Sequence, residues 1–79
     1  MTHELELNVK AQFIKPLETD MQLDFIAHGS NFEEIRNVSQ NFVKDYIVFY
    51  QIMNVEKVKF TYGDKDGLLN NVIKSFTEL

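Results

Sequence analysis

The chain of 79 residues contains no cysteine, no tryptophan, a single proline and two histidines. Without cysteine no disulfide can staple so short a chain, so its stability must come from an apolar core or from that core plus association. Cysteine-free sequence suits a reducing cytoplasm, and a cytoplasmic location is expected. Two histidines and no thiolate make a structural zinc site unfavourable, so no metal is expected. The opening "MTHELELNVK" shows no basic segment followed by an apolar one, so no secretory signal is expected either. The longest apolar run, "YIVFYQIM" at 46–53, is eight residues long. A membrane-spanning helix needs about 20, so no membrane span is expected. Phosphate-cradling patterns of the G-x-x-x-x-G-K-[ST], G-x-G-x-x-G and G-x-x-G types are also missing, and no cofactor is expected. Cations are few: 8 Lys and Arg against 12 Asp and Glu leave a net charge of -4. A general nucleic-acid binder needs clustered cations to neutralise phosphates, and this balance argues against one.

What is present describes an ordinary folded domain. Hydrophobic residues make up 44% and charged residues 25%, too apolar for intrinsic disorder. The length allows one domain over residues 1–79, with a thin margin of stability.

Strict alternation marks the first two strands. Leu5, Leu7, Val9, Ala11 and Phe13 share one face, and Glu4, Glu6, Asn8, Lys10 and Gln12 the other. Met21, Leu23, Phe25 and Ala27 repeat the pattern, and "KPLETD" between the two runs is a turn. Inward residues must oppose inward ones, so Phe13 is expected opposite Met21 with a loop over Lys15–Thr19. That register also sets Lys10 against Asp24 and Glu6 against His28, two complementary pairs.

After Gly29, Ser30 and Glu33 have the spacing of a capping box at a helix start. Apolar residues then recur at three- and four-residue intervals: Phe32, Ile35, Val38, Phe42, Tyr46, Phe49 and Met53. This predicts one long helix, about 31–53, stopping at Asn54. Residues 57–62 alternate as a strand, "GDKDG" is a turn, and Leu68, Leu69, Val72, Ile73 and Phe76 predict a final helix over about 66–78. The expected fold is α+β: a small antiparallel or mixed three-stranded sheet with two helices on one face, in the order ββαβα. A faint echo between "IRNVSQNF" and "LNNVIKSF" supports an alternative, ββαββα, in which residues 46–52 form a strand.

On the long-helix reading Phe42, Tyr46, Phe49 and Met53 face the sheet, and a second stripe of Val43, Ile47 and Tyr50 needs its own cover. The final helix can supply it; so can a partner, most simply the same helix of a second subunit. Ile14 and Ile26 add apolar entries on the outer sheet face. Val43, Ile47, Tyr50, Ile14 and Ile26 are therefore the candidate partner-binding residues.

Other patterns fail on chemistry. Asp24, His28 and Ser30 lie close in sequence, but no nucleophile elbow surrounds the serine. "DKDG" resembles half a calcium loop, yet Tyr62 and Ile73 would stand where acidic ligands are required. "NVS" at 37–39 matches a glycosylation acceptor inside a predicted helix. Lys57 and Lys59 alternate with Phe60 and Tyr62, which puts cations and base-stacking rings on opposite faces. No catalytic residue is assigned. The sequence is read as a non-enzymatic protein-binding module, homodimeric, of the kind by which a phage or mobile element inhibits a host protein. A nucleic-acid-binding accessory using Lys57, Lys59, Lys10 and Lys15 is the alternative.

Overall fold

A computed structural model describes residues 4–64 and 72–78. Among them the order is β1 Leu5–Ile14, β2 Met21–Gly29, α1 Phe32–Phe49, β3 Lys57–Asp64 and β4 Val72–Glu78. The strands form one antiparallel sheet in the order β2-β1-β3-β4, and α1 covers one face of it. The α+β class is as expected; the number of strands and helices is not.

The alternation in β1 makes it a central strand. Leu7, Val9, Ala11 and Phe13 are buried beneath the helix. Its pairing with β2 has the register set by face-matching, including Phe13 opposite Met21, Lys10 opposite Asp24 and Glu6 opposite His28. Asp20 braces the connecting loop: its carboxylate accepts from the Lys15 backbone N–H at 3.4 Å and from Gln12 Nε2 at 3.1 Å. On the other side of β1, Val58, Phe60 and Tyr62 of β3 stand opposite Phe13, Ala11 and Val9. The inward rows of both strands thus meet in one core.

The expected final helix is corrected: residues 72–78 are strand β4, paired to β3. Val72, Ile73, Phe76 and Thr77 all favour strands. A register shift at Tyr62/Gly63 breaks the period of two, leaving a spacing that imitates a helix. The 65–67 part of the "GDKDG" turn, the start of that expected helix at Leu68 and Leu69, and His3 lie outside the described residues.

The first helix ends earlier than expected, at Phe49. Gln51 adopts a left-handed conformation with φ 53. Its N–H donates to the Val48 carbonyl at 3.2 Å, and the Ile52 N–H reaches back to the Ile47 carbonyl at 3.0 Å. This pair of bonds closes a helix C-terminus, and Ile47 and Ile52, the residues it joins, both pack against the core. The alternative strand over 46–52 is excluded, since 46–49 are helical and 50–52 build the cap. At the other end Asn31, not Ser30, is the cap: its Oδ1 accepts from the Glu34 N–H at 2.9 Å. A side chain at Gly29 would meet Ile35 Cγ1 at 3.0 Å, so glycine lets the first turn of α1 close on β2.

The helix also presents a different face. Ile35, Ser39 and Val43 are its buried residues, with Tyr46 and Ile47 packed partly beneath it. Phe42, Phe49 and Met53, expected against the sheet, are exposed. Ser39 is the reason: a polar residue was not counted as core. Including it gives 35, 39, 43 and 47, one residue per turn along the buried line.

Candidate functional site

The rotation of α1 leaves one flank open beside β2. Aromatic rings follow one another along it. Phe25 of β2 lies 4.7 Å from Phe42 of α1, and Phe42 lies 6.4 Å from Tyr46. Tyr46 lies 4.6 Å from Tyr50, which meets Phe49 edge-on at 4.9 Å. Phe42, Tyr46 and Tyr50 are spaced at i, i+4, i+8, so they stack along one side of the helix toward β2. At the far end Phe49 is 78% exposed, Met53 71% and Tyr50 60%. Contiguous exposed apolar groups of this kind mark interaction surfaces, and Phe, Tyr and Met are enriched there.

The structure scatters the expected partner residues. Tyr50 belongs to the aromatic flank. Val43 is buried in the core. Ile47 is half-buried on the opposite side of the helix, where it lines a cavity of about 60 Å³ with Gln40, Val43, Lys44, Val58, Phe60 and Glu78. Ile14 is half-buried at the end of β1, where its carbonyl accepts from the Glu56 N–H at 2.9 Å. Ile26 is exposed on the outer face of β2, away from the helix. Phe42, Phe49 and Met53 were missed as surface residues, and placing Ser39 in the core would have found them.

The polar residues do not converge. Asp24 accepts from Gln22 Nε2 at 3.4 Å, while His28 lies 3.8 Å and 3.7 Å from the carboxylates of Glu4 and Glu6. Asp24 and His28 are four residues apart along β2 and do not meet. Lys10, Lys57 and Lys59 stand on the open sheet face while Phe60 and Tyr62 are buried under α1. Lys15 is engaged with Glu18 at 3.3 Å. Among the described residues no three His, Asp or Glu side chains gather as metal ligands. Neither is any described helix long and apolar enough to cross a membrane.

No known protein family, curated protein or solved structure matches the chain.

Among the described residues the most perturbed group lies under the helix. Burial pushes the Tyr62 phenol up to about 12, with the nearby Ser39 hydroxyl opposing part of that shift. Neither hydroxyl is at hydrogen-bonding geometry with any partner among the described residues. They are sealed beneath α1 and make no open site.

Proposed function

We propose that this chain is a non-enzymatic, cytoplasmic protein-binding module whose contact surface is the aromatic flank of α1 next to β2. One observation carries this reading: the rings of Phe25, Phe42, Tyr46, Tyr50 and Phe49 form a continuous series whose outer end is left largely in water. Exposing that much aromatic surface gains nothing for the isolated fold, whereas a partner that covers it recovers the apolar burial. The rigid helix and sheet beneath hold the rings ready, so little ordering is needed on docking. Among the described residues the polar groups offer no comparable convergence for chemistry.

The test is a paired substitution, Phe49→Glu with Tyr50→Glu, in the full chain. Both sites are exposed, so the circular dichroism spectrum and melting temperature should stay close to wild type. Affinity capture with quantitative mass spectrometry from the native host should then show partner proteins on the wild type that the variant fails to retain. Identical capture by both would remove this surface from consideration.

A further inference from the structure

We propose that the free edge of β2 is occupied by a second copy of this chain, paired antiparallel through a two-fold axis at Ile26. This inference rests on the protein-binding reading and names the partner.

The sheet order leaves β2 as an edge, with nothing paired to its outer side among the described residues. Edge strands are normally guarded by bulges, proline, charged side chains (lysine above all) or shortness. β2 has only one of these, the carboxylate of Asp24: it is nine residues long, "MQLDFIAHG", and pairs with β1 without a bulge from Met21 to Gly29. The opposite edge, β4, carries Lys74 and borders the register shift at Tyr62/Gly63. Of the two edges, β2 is the less guarded one, and a second copy can pair its single charge.

Symmetry then selects the register. A two-fold axis through one residue keeps each face of the joined sheet continuous, because opposed residues differ by an even number. An axis at Asp24 would set two carboxylates face to face. An axis at Phe25 would set Asp24 against Ile26. An axis at Ile26 places the two Ile26 side chains together, Asp24 opposite His28 of the second copy, and His28 opposite its Asp24. On the helix side it opposes Phe25 to Ala27 and Leu23 to Gly29, large against small at both positions. Polar pairing and volume are complementary in this register alone of the three, since an imidazole faces each carboxylate.

The same pairing accounts for two exposed features. Ile26 is 51% exposed on an otherwise polar strand face and becomes covered by its own copy. On the helix side, Phe25 and its neighbour Phe42 fall beside the axis, so both copies' aromatic flanks begin at one seam.

The absence of cysteine makes the register measurable. Ile26→Cys should give a disulfide-linked dimer under mild oxidation at least about tenfold faster than Gln22→Cys or, on the β4 side, Ser75→Cys, because only the axial position brings identical residues within bonding range. Wild type should be dimeric by sizing with light scattering. Ile26→Lys, which sets two cations together at an exposed site, should weaken that dimer at least tenfold with an unchanged circular dichroism spectrum. A wild type that stays monomeric at all concentrations overturns the inference, as does fastest linkage at Ser75→Cys. If Ile26→Lys unfolds, the linkage rates still decide. Failure here leaves the aromatic surface standing if the Phe49→Glu, Tyr50→Glu pair still loses partners; if capture is also unaffected, both proposals fall.

Discussion

Arg36 on α1 grips the Glu78 carboxylate at the end of β4, donating to it from Nε at 2.9 Å and also from Nη2. The same guanidinium lies 4.4 Å from the centroid of the Phe76 ring. The hydrogen bond to Glu78 is also the main cause raising the Arg36 pKa. A planar fork that binds a carboxylate and lies over a ring fixes both direction and distance. Together with Lys74 over the Phe32 ring at 4.6 Å, it ties an edge strand to the helix.

Removing that tie should loosen β4 before anything else. In Arg36→Ala, amide protons of residues 74–78 are expected to exchange a few-fold faster, while those of β1 keep their protection. Glu78→Gln should give a smaller effect of the same sign, because a neutral acceptor remains. Uniform loss of protection across the sheet would mean that β4 is not a separately opening unit.

The Tyr62 phenol makes stability sensitive to alkali. Its folded pKa, about 12, exceeds the unfolded value near 10. The phenol therefore favours the fold fully below pH ~10, and that contribution falls away as pH rises toward 12. The loss should reach about 2 kcal/mol for this buried ring. Tyr62→Phe should remove this part of the alkaline decline in chemical-denaturation measurements at stepped pH. A decline unchanged in the variant would assign it to other groups.

Ser39 gives a prediction that opposes the usual rule for core substitutions. Its hydroxyl is buried without a hydrogen-bond partner among the described residues, and serine is a poorer helix former than alanine. Ser39→Ala should therefore stabilise the chain by about 0.5–1.5 kcal/mol. It should also deepen the loss of stability above pH ~10, since the hydroxyl now opposes the rise at Tyr62 and its removal lets that pKa climb further. Clear destabilisation would reveal a bond to this hydroxyl that the fold hides.

These residues also mark where the sequence was legible. Period-two alternation located β1, β2 and β3, and face-matching gave the β1–β2 register residue by residue. That signal is strong because a one-residue slip would turn a whole apolar face into water. β4 was hidden because it has no such penalty: it is an edge strand, mostly exposed, re-phased by a bulge and fastened by Arg36. The orientation of α1 was misread through Ser39, a small polar residue that fits where the helix approaches the sheet closely. The candidate surface inherited that error, which placed Val43 outside and Phe49 inside.

The end of α1 was misplaced for a related reason, and it yields the last prediction. A left-handed residue after a helix is usually glycine or, failing that, asparagine, so the stop was sought at Asn54 rather than at Gln51. Gln51 nevertheless holds φ 53 and directs two backbone bonds onto the last turn. A side chain in that region costs roughly 1 kcal/mol or more, while glycine adopts it freely. Part of that gain is offset by the greater unfolded-state entropy of glycine. Gln51→Gly should thus stabilise by about 0.5–1 kcal/mol, and Gln51→Val should destabilise, because a β-branched residue tolerates φ > 0 worst. Ile52→Ala should weaken the cap by removing its apolar packing on the core while leaving the backbone bonds possible. Thermal melts of the three variants read the order directly. If Gly and Val proved equal at this position, the helix must end elsewhere, and the aromatic rings of Phe49 and Tyr50 would not be held at the surface as described.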